Sequence, residues 1–243
     1  MRSANPSLGE DTFKGLRADG GTAMTIQGTV NKTFILFLLL FATALFTWHQ
    51  YFAGSNVQAL LWIGLLGGFV VALITIFVKK AAPYTAPLYA LLEGLAIGGI
   101  SAMFESQFEG ITTQAILLTL GTLFSLLLAY RSGLIKVTEN FKLGVVAATG
   151  AIFFVYLADF VLRLFGMEVP FIHETGLVGI LISVAIVVVA ALNLVLDFDF
   201  IEKGAEQRAP KYMEWYGAFG LMVTLVWLYI EMLRLLAKLA SRD

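Results

Sequence analysis

The chain has 243 residues, of which 59% are hydrophobic and only 14% charged, with a mean hydropathy of +0.85 and a formal net charge of −1. Soluble domains carry about 25% charged residues, so the composition excludes a soluble enzyme and gives no footing for a nucleic-acid partner. The class it points to is an all-α, polytopic membrane protein whose first partner is the lipid bilayer. Cysteine is absent, which removes disulfides, zinc–thiolate sites and cysteine nucleophiles.

The expected elements follow in chain order. Residues 1–31 begin polar and Gly-rich and lack the apolar core of a secretory signal, so they read as a flexible tail ahead of a transmembrane domain at 32–243. Apolar runs of the length needed to cross a bilayer, roughly 20 residues, then recur at 32–52, 57–78, 87–104, 112–130, 143–165, 176–200 and 212–239. Lys79, Lys80 and Pro83 close the second run, and Arg131 closes the fourth. Seven spans use up the chain and leave no room for a separate soluble domain. The stretch before the last span, EKGAEQRAPKYMEW, is mixed in charge and reads as a solvated turn, with Tyr212, Trp215 and Tyr216 as an interfacial aromatic belt. With the N-terminus in the cytoplasm, most lysines and arginines fall on the inner side, whereas Arg163, Arg234, Lys238 and Arg242 fall outside.

Charged groups inside hydrocarbon are costly and normally face a bundle interior or a water-filled path. Glu93 lies about two turns into the third span, on a helix whose Gly94, Gly98 and Ser101 form a small-residue face suited to close helix packing. Glu105, at the end of that span, reads as a solvated carboxylate. Asp159 and Arg163 are spaced for an ion pair on one helical face, as are Glu231 and Arg234. The sixth span ends in LNLVLDFDFIEK. Asn193 and Asp197 share a face there, while Asp199 is turned by about 200° from Asp197 and joins Glu202 and Lys203. Two readings stand side by side: acids that cap a span in water, or a polar gate in which Asp197 faces the bundle and Asp199 the mouth. His49 and His173 lie far apart near span ends, so a histidine metal site is not expected. No phosphate loop, nucleophile elbow or HExxH motif is present, so neither an enzyme nor an organic cofactor is expected.

The tail RSANPSLGEDTF, the start of the first span in MTIQGTVNKT, LLEGLAIGGIS, LNLVLDFDFIEKGAE and VWLYIEMLRLL together resemble the Bax inhibitor-1/YccA family, over essentially the whole chain and most closely its bacterial YccA-like branch. The resemblance implies a seven-helix bundle with the last helix central, in a cell inner membrane. It also implies a pH-sensitive calcium leak, in which an aspartate ending the sixth helix pairs with one in the seventh. The first acid maps to Asp197, or to Asp199 if the register slips by two. The acidic position of the last helix falls on Leu228, followed by Tyr229 and Ile230, so Glu231 one turn on becomes the substitute. The implied path then uses Glu93, Asp197, Asp199 and Glu231, supported by Asn193, Arg234, Asp159 and Arg163. Asp197 and Glu231 would ligate calcium weakly and transiently, calcium being the permeant ion and not a cofactor. The other reading that the resemblance supports is an interaction protein, its tail engaging a membrane-bound AAA protease. A proton-coupled transporter is a third.

Overall fold

The computed structural model describes residues 23–167, 174 and 176–241. It contains seven long helices: α1 (Ile26–Phe52), α2 (Gln58–Phe77), α3 (Ala82–Gln107), α4 (Ile111–Arg131), α5 (Glu139–Leu164), α6 (Leu177–Glu206) and α7 (Met213–Ala240). All seven are long and apolar enough to cross a membrane.

Their ends depart from the hydropathy reading where polar side chains find partners. α1 begins at Ile26, so residues 26–31, expected in the tail, are helical, and Thr25 caps the helix by accepting the Gly28 amide. α3 begins at Ala82. Pro83, expected as a terminator, occupies its first turn, where the missing amide costs nothing. α5 starts at Glu139 with Thr138 as its cap, and α6 runs on to Glu206. Asp197 and Asp199 therefore lie within a continuous helix and not at its fraying end.

The last helix is central. α7 packs on α1, α3, α4 and α6, and buried residues line almost its full length, from Met213 to Leu233. α1 and α2 both lie against α3. The small-residue face there does what it was expected to do: a methyl group added at Gly94 or Gly98 would overlap α1 backbone at Leu40 or Ala44, and one added at Gly64 of α2 would overlap α3 backbone at Leu92 and Ala96. The outward faces carry large exposed apolar side chains, Phe34, Phe69, Phe124 and Phe154 among them. Such faces suit hydrocarbon and not water.

Replacing Gly98 with Val is expected to lower stability in detergent by about 1–3 kcal/mol, the usual range for overpacking. Gly121→Ala, where an added methyl meets nothing within 4 Å, is expected to be neutral. Thermal melts of the two variants check both outcomes.

Candidate functional site

Asp197 sits on α6 between residues that are themselves buried, Leu194 through Phe198, and its own exposure is 1%. Neither of its carboxyl oxygens meets a hydrogen-bond partner among the described residues. Its nearest donor is the Thr224 hydroxyl of α7, which lies beside the carboxyl and also 3.3 Å from the Gly220 carbonyl. An unsatisfied buried polar group costs about 1–3 kcal/mol, and more if it is charged. One turn earlier, the Asn193 amide nitrogen is satisfied: it donates to Val189 O and to Thr149 Oγ1 of α5, both at 2.8 Å.

Asp199 looks the other way, as its helical angle requires. It pairs with Lys203 at 2.8 Å and with Lys142 of α5 at 3.4 Å, and Lys142 also approaches Glu139 at 3.6 Å. Near the same end, Tyr130 of α4 donates a short hydrogen bond to Glu202.

Glu231 is as buried as Asp197, at 2% exposure, but it is provided for. The Tyr156 hydroxyl of α5 donates to both its oxygens, at 2.9 and 3.0 Å, and Arg234 donates from one turn on at 3.0 Å while its guanidinium lies over the Tyr156 ring. The expected Asp159–Arg163 pair is present at 2.9 Å. Lys238 donates to Gly179 O and Ser183 Oγ at the start of α6. Together these groups line a cavity of about 560 Å³.

The expectation that Asp197 and Glu231 meet is corrected by the helix register. α6 and α7 are antiparallel, with Lys238 level with Ser183 and Thr224 level with Asp197. Glu231 lies two turns beyond Thr224, which is about 10 Å along the axis. The two acids occupy separate layers, about two helical turns apart. Leu228, fully buried, fills the position where the pattern of the last helix calls for an acid. Among the described residues, no group of three or more His, Cys, Asp and Glu side chains could hold a metal ion. Glu93 lies on α3, where Tyr89 meets Phe219 and Ser101 meets Tyr229 of α7, so it stands near the height of Thr224. It is half-buried beside Tyr89 and faces α2, where a methyl added to Gly68 would come within 3.0 Å of its carboxylate.

Three further residues depart from their sequence reading. Glu105 is no idle surface acid: it accepts the amides of Gly110 (2.7 Å) and Thr112 (3.0 Å) and so caps α4. Tyr216 lies in the core against Phe200 and Phe219 instead of in a belt. Glu214, read as part of a solvated turn, is fully buried. It accepts the Thr25 amide and hydroxyl at 2.9 Å each, pairs with Lys211 at 2.7 Å, and takes a short ion pair from Lys32. The one sequence signal for this cluster was the Lys211–Glu214 spacing.

The arrangement defines a polytopic helical membrane protein whose central helix pair encloses an unpaired carboxyl group. The model of the Bax inhibitor 1 like family matches residues 5–241, and the chain belongs to that family. No curated protein and no solved structure matches it.

The two buried acids are expected to respond in opposite senses to neutral substitution. Asp197→Leu should raise the melting midpoint, because it removes an unsatisfied group. Glu231→Gln should lower the midpoint, through a loss of about 1–3 kcal/mol of stability, because it breaks a satisfied network. Melts in one detergent at one pH compare them directly.

Proposed function

We propose that the chain is a passive, pH-sensitive leak for cations, calcium foremost, and that Asp197 is its titrating group. The observation that supports this is the solitary, fully buried carboxyl of Asp197 between α6 and α7. A carboxylate there is uncompensated in the closed bundle. The strain is relieved by a proton, by a cation, or by separation of α6 from α7 that lets water in. Proton and calcium thus compete for the same oxygens. A site with one carboxylate and water offers calcium far fewer than its usual six to eight ligands, and weak binding of that kind suits passage better than storage.

The proposal differs from the two-acid switch that the family resemblance implied. Glu231 is committed to Tyr156 and Arg234, so it serves the cavity at the other end of α7, where Asp159, Arg163 and Lys238 also lie. Asp199, with Lys142 and Lys203, forms the mouth nearer the start of α1. Deprotonation of Asp197 favours the open state, so flux rises with pH.

We also place the start of α1 in the cytoplasm, in a cell inner membrane. The basic residues support this, and two of the C-terminal cations that counted against it are engaged within the protein, Arg234 on Glu231 and Lys238 on α6, while Arg242 lies outside the described residues. A second reading, modulation of a membrane-bound AAA protease, gains from the way the chain enters the bundle. Ala23 pairs with Pro210, and Thr25 is held by Glu214 at the start of α7, so a pull on the preceding tail reaches the central helix directly.

Calcium flux into liposomes is expected to climb with pH for the unaltered chain and to be flat across the neutral range for Asp197→Asn, while Glu231→Gln keeps the slope. An unaltered slope in Asp197→Asn sinks the leak mechanism. The absence of native cysteine allows a topology test with single-cysteine variants in intact cells. Ser55→Cys should react with an impermeant maleimide, and Ser132→Cys only after the membrane is breached.

A further inference from the structure

α1 packs on α3 and α7, and α4 packs on α7, α6 and α3. Between α1 and α4 lies a groove of about 1570 Å³, larger than the roughly 300–1,000 Å³ typical of small-molecule pockets. Its floor is apolar core, with Leu221 and Leu225 of α7. Its rims are the exposed apolar faces that meet hydrocarbon, Phe34 and Leu38 on α1, Phe124 and Leu127 on α4. The groove is therefore continuous with the bilayer along its side.

The two mouths differ in charge. One presents Glu105, Thr112 and Trp48. The other, at the start of α1 and the end of α4, presents Arg131 and Lys136. Both cations are exposed and neither makes an ion pair among the described residues. Of the acids at that mouth, Asp199 is paired with Lys203 and Lys142, and Glu202 accepts the Tyr130 hydroxyl and keeps its charge; neither is paired with Arg131 or Lys136. α4 spans 21 residues from Ile111 to Arg131, about the thickness of the hydrocarbon core, which sets Arg131 at headgroup depth. We propose that this half of the groove is a binding site for one anionic phospholipid, its headgroup on Arg131 and Lys136 and its acyl chains lying between α1 and α4. The site is separate from Asp197, and it does not depend on which side of the membrane the start of α1 faces.

The test is native mass spectrometry of the full chain released from bilayers of equal phosphatidylglycerol and phosphatidylcholine. The unaltered chain should retain phosphatidylglycerol preferentially. Arg131→Ala with Lys136→Ala should lower that retention by about thirty-fold, from roughly fivefold per basic residue at an anionic surface. These two side chains are exposed, so the fold should be unaffected. Leu127→Trp, which fills the groove and leaves both charges, should lower retention of phosphatidylglycerol as well. Equal retention of the two lipids, or a preference that survives loss of both cations, overturns the site. So does a preference that is lost with the cations but survives in Leu127→Trp, since the headgroup then sits on the surface and the groove is not its host.

Discussion

Hydrocarbon does not solvate a carboxylate, and every feature of this bundle follows from where its acids are allowed to be. An acid on an outward face would meet lipid. The central helix pair receives three of the acids, and α5 buries a fourth, Asp159, beside Arg163. α7, packed against four other helices, carries Glu214 near its start and Glu231 well toward its end, and α6 contributes Asp197 between them. Two of the three are fully supplied with donors, and the third has only the Thr224 hydroxyl beside it. That asymmetry separates them: Glu214 and Glu231 hold helices together, and Asp197 is left with far less to offset a charge.

Hydropathy alone made the seven helices legible, because a bilayer imposes one length on every span. It placed the ends of α2 and α4 near Lys79 and Arg131, but misjudged the start of α5 and the end of α6, where charged residues were taken to mean water. Lys142 and Asp199 continue their helices because they pair with each other across α5 and α6, and no local pattern reports a contact between residues so far apart in the chain. The small-residue face of α3 was readable since glycine spacing is a local property. The Asp159–Arg163 and Glu231–Arg234 pairs were readable for the same reason. The Tyr156 hydroxyl on Glu231 was not, and its absence from the sequence reading left Glu231 looking available for Asp197.

The angular divergence of Asp197 and Asp199 could be derived from helix geometry, but the solitude of Asp197 could not. Solitude depends on what α7 presents opposite, and that is fixed by the register of two antiparallel helices. The sequence pattern of the last helix hinted at it, in that Leu228 stands where an acid was expected. The stretch before α7 misled for a related reason. Its charges look solvated one at a time, yet Glu214 is neutralised by Lys211 and by Lys32, and hydrogen-bonded by Thr25, the last two from the other end of the chain.

The staple between Thr25, Lys32 and Glu214 joins the first helix to the last, and the last is also the middle of the bundle. During synthesis the six earlier helices enter the membrane while the space they are to surround has no occupant. Lys32 and the Thr25 amide wait, through the translation of nearly the whole chain, for the acid that will receive them. Assembly therefore waits on α7, and a bundle without it has neither its axle nor the clasp that closes its ring.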